Sequence, residues 1–421
     1  MIVELIKLAA LPVVIGGALM GADVSALFDA YEPTTKFTQV GQHGVGKDSA
    51  AEIVASDGVD LLVYSNSEKG SVDFVNIADP STPVADGSIA VGGEPTSVAI
   101  TNGTVFVAVN TSESYTNPSG KLVIIDITDR NIVEEISLAG QPDSIAIDPY
   151  NRFVAIAIEN ERNEDINDAL IPQYPAGNLA IVSANGEVKY VDLRGLADIA
   201  PSDPEPEFVD INGLGEVVVT LQENNHIVIV DRNGNIVNHF SAGLVDLNNI
   251  DTIKDGAYNP VNSLQNVRRE PDAVKWIDDT HFATANEGDY KVKIPGQAKR
   301  GGSRGWTIWN KDGTIVYESA ESFEITLAEA GYWPDKRAGK KGVEPESIEV
   351  TSIDGRRVVF VGAERANAVG VYDVSNLSSP KLLQILPTGK APEGLVAIPE
   401  KRLFVTSNEK DAKNSLSIFK F

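Results

Sequence analysis

The chain has 421 residues, 42% of them hydrophobic, and 35 basic against 60 acidic side chains, a formal net charge of −25. A field of that sign repels nucleic acid and anionic membranes and favours cations or basic partners, and no run of Lys and Arg along the sequence interrupts it. There is no cysteine, which excludes a disulfide framework and a thiolate metal site. The four histidines, His43, His226, His239 and His281, are too scattered for a histidine-built zinc or iron centre.

The first feature in chain order is an apolar run from Leu8 to Ala22, preceded by Lys7 and followed by Val24-Ser25-Ala26. A short apolar stretch followed by small residues reads as an export signal, and it is too short to span a bilayer comfortably. Residues 1–30 are therefore expected to be a signal-like or anchoring segment and residues 35–421 the folded domain. Cleavage near Leu27 removes the segment; if it is kept, residues 1–26 are the part that meets a membrane. The protein is expected to be exported, to the periplasm, cell surface or medium.

A short motif then recurs: Pro, usually Asp or Glu, a small residue, and a β-branched or Leu position. It appears as Pro95-Thr96-Ser97-Val98, Pro142-Asp143-Ser144-Ile145, Pro206-Glu207-Phe208-Val209, Pro271-Asp272-Ala273-Val274, Pro345-Glu346-Ser347-Ile348 and Pro392-Glu393-Gly394-Leu395. Ala51-Glu52-Ile53-Val54 is a first copy with alanine in the proline place. Successive copies lie 44, 47, 64, 65, 74 and 47 residues apart, and the short spacings match a propeller blade of about 40–50 residues. Each copy opens a short strand and a turn such as Asn102-Gly103, then a second apolar run (Phe153–Ile158, Val217–Leu221), a third (Leu122–Ile127, His226–Val230) and a more polar fourth. Four such strands, seven times over, predict an all-β fold: a seven-bladed β-propeller with four antiparallel strands per blade. The last repeat stops after its third strand, Leu416–Phe421, and the strand Lys36–Gln42 is expected to complete it, closing the ring.

Strand order also predicts where the extra length falls. The turns between first and second and between third and fourth strands are short; 161–177, 287–305, 241–269 and 320–343 are long and all belong to the opposite face. Loops gathered on one side of a rigid scaffold are where binding usually resides. That face is expected to carry an inner set of motif acids, Glu52, Asp143, Glu207, Asp272, Glu346 and Glu393. An outer set follows the second strands: Glu68, Glu113, Glu161, Glu223, Glu287, Glu364 and Glu409. Carboxylates converging on an axis form an oxygen-rich site that suits Ca²⁺, and Glu223, Glu287, Glu364 and Glu409 join the inner set as candidate ligands. Asn224, His226, Asn286, Asp289, Arg304 and Arg365 lie in the same loops and are candidates for binding a ligand. The alternative for the acids is structural: turn chemistry before a strand, or neutralisation by Arg162, Arg304 and Arg365. No nucleophile elbow, Walker loop or His-Glu-x-x-His occurs, and no catalytic residue is assigned.

The stretches Gly92-Gly93-Glu94-Pro95-Thr96-Ser97-Val98-Ala99, Gly140-Gln141-Pro142-Asp143-Ser144-Ile145-Ala146, Leu221-Gln222-Glu223-Asn224-Asn225-His226 and Ala285-Asn286-Glu287-Gly288-Asp289 resemble bacterial exported propellers. These carry the label "esterase-like activity of phytase" and are related to choice-of-anchor and alkaline-phosphatase-like proteins. The resemblance covers about residues 50–421 and implies a propeller, export and Ca²⁺; the esterase label belongs to sequence outside the propeller, so phosphatase activity does not follow from it. The leading expectation is a non-enzymatic binding or scaffold propeller presenting its acidic loop face to a protein or polymer. The alternatives are a Ca²⁺-dependent phosphoesterase and a structural subunit of an envelope or extracellular assembly.

Overall fold

The second strand of each repeat carries a continuous apolar run, so it needs cover on both faces. In the computed structural model, which describes residues 36–421, it has that cover: Leu61–Asn66, Phe153–Ile158, Val217–Leu221 and Leu403–Asn408 are buried at every position. The fourth strands, such as Val84–Ala90 and Ile132–Leu138, lie mostly exposed at the rim. This gradient arranges seven four-stranded antiparallel sheets as the blades of a propeller. Blades 1 to 6 span residues 54–90, 94–138, 142–191, 206–241, 274–318 and 345–387. Blade 7 holds Pro392–Ile398, Leu403–Asn408 and Leu416–Lys420, and its outermost strand is Thr38–His43, with Thr38 opposite Lys420 and His43 opposite Leu416. The apolar segment before residue 36 lies outside the described residues.

The recurrent motif has a definite backbone form. In blades 2, 3, 4, 6 and 7 the proline pairs with the second strand, and the register then slips before pairing resumes, between Pro95/Ser97, Pro142/Ile145, Pro206/Val209, Pro345/Ser347 and Pro392/Leu395. Proline has no N–H to give to the ladder, and a bulge is where a sheet tolerates it. The motif acid, or Thr96 in blade 2, lies unpaired in each slip, and in blades 3, 4 and 7 the residue after it is unpaired as well.

Two of the long loops carry regular elements of their own. Leu244–Ile250 and Asn262–Arg268 form a two-stranded ribbon, and Ser322–Glu329 forms a short α-helix. The ribbon is mostly polar, and Leu247, Ile250 and Val267 alone make its buried core, so its apolar signal is weak. The helix buries Phe323, Glu324 and Leu327, with the acid held by Arg304 Nη1 at 2.9 Å.

Aromatic packing joins blades 6 and 7. Phe360 and Phe404 stack at 4.0 Å between centroids, and buried Phe37, just before the outermost strand of blade 7, meets Phe360 edge-on at 5.5 Å. Phe37→Ala removes this anchor, and we expect a loss of about 3–5 kcal/mol in unfolding free energy, read as a lower urea midpoint.

Candidate functional site

The motif acids converge on one cavity, four of them from bulges and Asp272 from a blade that pairs without a register slip. Asp143, Glu207, Asp272, Glu346 and Glu393, with Thr96, Gln222 and Glu287, line a cavity of about 180 Å³ at the channel mouth. Glu52 completes the set and accepts a hydrogen bond from the Ser67 hydroxyl. None of these six motif acids forms an ion pair among the described residues. Burial, and then the charge of neighbouring acids, pushes Asp143 up to about 7; burial also brings Glu52 to about 7 against the Ser67 bond. Glu207, Asp272, Glu346 and Glu393 are raised well above the carboxylate range by the same two causes. Two trios have carboxylate oxygens within 4.8 Å of one another: Asp143–Glu159–Glu207 and Glu287–Glu346–Glu364. Glu346 Oε2 and Glu364 Oε2 are buried and accept no hydrogen bond.

The second-strand acids differ because most have a basic partner. Glu223 accepts from Arg162 at 2.6 Å, Glu287 from Lys341 at 2.6 Å, Glu364 from Arg365 at 2.5 Å and Lys410 at 3.3 Å, and Glu409 from Lys410 at 2.6 Å. Glu68, Glu113 and Glu161 are exposed. Sequence reasoning missed Glu159, which immediately follows the strand Phe153–Ile158 and precedes Asn160. Alignment on the asparagines finds it, because Glu223 likewise precedes Asn224.

Those asparagines hold the approach to the next strand. Asn66 Oδ1 accepts from Ala50 N at 3.2 Å, Asn160 Oδ1 from Gln141 N at 2.9 Å and Asn224 Oδ1 from Glu205 N at 2.9 Å. Asn224 also donates to the Ile199 and Asp203 carbonyls, and Asn286 donates to the Ser303 and Thr307 hydroxyls. Both are buried, so their polar atoms serve the fold rather than the face. Buried His226 sits 3.1 Å from His239 Nδ1; burial, then that neighbour, lowers it to about 4. Arg304 is buried against Glu324 and donates to the Asp251 and Ala338 carbonyls. Of the candidate ligand-binding residues, Asp289 and Arg365 do line an open cavity.

That cavity corrects the expectation of an uninterrupted acidic field. It measures about 820 Å³ and gathers Arg162, Lys291, Lys293, Lys299, Arg300, Arg337, Lys340, Lys341 and Arg365 around Glu164, Asp168, Glu287 and Asp289. Its basic residues come from loops 161–177, 287–305 and 331–344 and from Arg365. No helix among the described residues is long and apolar enough to cross a membrane.

Blades, bulges and an acid-lined mouth define a seven-bladed propeller with a loop-decorated face. The choice-of-anchor I domain model matches residues 52–199, 186–301 and 296–377, and the chain belongs to that family. The phytase part of the expected resemblance finds no support in this match. No curated protein sequence matches the chain. Among solved structures it is similar to virginiamycin B lyase from Staphylococcus aureus (10% identity, TM-score 0.59, 92% of this chain and 100% of that one). Hydrazine synthase from Kuenenia stuttgartiensis (14%, 0.57, 91% and 98%) and the RRP9 WD40 repeats (9%, 0.61, 91% and 99%) are also similar. At these identities the likeness concerns the fold.

The raised acids fix a sign for pH dependence. A carboxyl whose folded pKa exceeds its unfolded value binds more protons folded, so stability falls as pH rises between the two values. Lowered His226 and His43 act oppositely, but only below about 6.5. Between pH 6.5 and 8.5 the metal-free protein is therefore expected to lose thermal stability, measured by calorimetry in EDTA.

Proposed function

We propose that the protein is an exported binding propeller whose acid-lined channel mouth holds one or two divalent cations, Ca²⁺ by its chemistry, as part of the surface that meets a protein or polymer. The observation that carries this reading is the uncompensated motif acids: six carboxylates at the same place in the repeat, four of them at bulges, without a basic partner among the described residues. Turn chemistry does not account for them, since apart from Glu52 they accept no side-chain hydrogen bond, and the arginines of the loops pair with other acids. Buried carboxylates at one another's contact distance repel strongly, and a hard cation with all-oxygen ligands relieves that repulsion. The donor set fits: Glu287, Glu346 and Glu364 would hold one ion and Asp143, Glu159 and Glu207 another, and Glu346 Oε2 and Glu364 Oε2 are buried without a hydrogen-bond partner. Family membership and the gathering of long loops on this face support an exported binding role.

Calcium titration followed by calorimetry tests the reading. A bound cation stabilises by about 2.7 kcal/mol at a free concentration about one hundred times Kd, and the gain is expected to be larger at pH 8 than at pH 6. Glu346→Gln is expected to reduce that gain and, by removing one repelled charge, to raise the metal-free midpoint above pH 7. No calcium response in the wild-type protein at pH 8 contradicts the proposal. Calcium-dependent turnover of a phosphomonoester, lost in Glu346→Gln, would replace it with a hydrolase.

A further inference from the structure

The basic cavity lies on the same face as the acid-lined mouth but has different chemistry. Among the described residues, Lys291, Lys293, Lys299, Arg300 and Lys340 make no side-chain ion pair or hydrogen bond, although acids outnumber bases in this chain by 60 to 35. Cations scattered on an acidic protein find carboxylates readily; five left unpaired around one concavity repel one another and are stabilised by an incoming anion.

The wall that carries them is held in place from behind. Buried Arg268 donates to the Tyr290 carbonyl at 2.9 Å and the Ala298 carbonyl at 3.1 Å, pinning loop 287–305 just before Lys291 and just before Lys299. Gly288 and Gly302 let the loop's two arms touch: both have positive φ, and a Cβ on Gly288 would meet Gly302 N at 1.9 Å. The Tyr290 hydroxyl accepts from Ile171 N at 3.1 Å, tying this loop to 161–177. Arg304 holds Ala338 and Lys340 by their carbonyls, which fixes the third loop. Arg162 reaches Glu223, Glu205 and Asp289 together. Three buried arginines thus set the frame, and the five unpaired cations project from it into the cavity.

We propose that this cavity is a binding site for an oligoanion, a molecule bearing two or more phosphate, sulfate or carboxylate groups. Its volume of about 820 Å³ suits a small molecule or the end of a charged polymer, and lysine and arginine donors at its edges match oxyanions. The site does not depend on a cation in the channel mouth.

Isothermal titration with tripolyphosphate, and separately with citrate, at low ionic strength tests it, on protein stripped of metal and then exchanged into metal-free buffer without chelator. The wild-type protein is expected to bind at least one of them saturably, and more weakly as salt is raised. Lys291→Gln/Lys299→Gln/Lys340→Gln alters exposed, unpaired side chains; it should keep the wild-type melting temperature and bind at least about tenfold more weakly. Glu346→Gln should bind as the wild type does. No saturable binding of either anion overturns the proposal, as does wild-type affinity in the triple variant. Binding that needs Ca²⁺ and disappears in Glu346→Gln also overturns it, because the anion then sits on a cation in the mouth.

Discussion

A proline that cannot donate to the β-ladder, placed at the start of the innermost strand, is the constraint from which the site follows. In blades 3, 4, 6 and 7 the strand accommodates it with a bulge that leaves the following acid unpaired, and that acid lines the cavity. Because blades 3, 4, 6 and 7 all slip register at this point, their acids line the same cavity. The fold therefore repeats a local backbone irregularity to concentrate charge where no single strand could.

Concentrated charge costs stability unless it is compensated, and the two sets of acids meet that cost differently. Glu223, Glu287, Glu364 and Glu409 sit among Arg162, Lys341, Arg365 and Lys410, and their salt bridges help hold the loops together. The motif acids have no such partner, and burial together with the charge of neighbouring acids raises Glu207, Asp272, Glu346 and Glu393 well above the usual carboxylate range. A buried carboxyl that holds its proton near neutral pH releases it to a competing cation, so cation affinity and proton affinity are linked at this mouth. Above the mouth the loops carry the opposite sign, and the face presents basic and acidic chemistry in adjacent layers.

The blades were legible in the sequence because each depends on neighbours in the chain: a motif, an apolar run such as Phe153–Ile158, a turn such as Asn233-Gly234. The inner acids were legible for the same reason. What the sequence concealed is assembled over long separations. Asn224 looks like a ligand-binding amide until its partners, Glu205, Ile199 and Asp203, fold around it. Glu159 was masked by Glu161, two residues on, whose exposure depends on how the strand ends. The basic cavity draws on residues from Arg162 to Arg365, and no window of sequence contains enough of them to stand out against a net charge of −25.

Crystals soaked in Tb³⁺, a hard oxygen-seeking cation, and measured for anomalous scattering would address the central claim most directly. The account predicts a peak within coordination distance of Glu287, Glu346 and Glu364, or of Asp143, Glu159 and Glu207, at near-neutral pH. Anomalous peaks confined to exposed rim acids, with the channel mouth holding water alone, would contradict it.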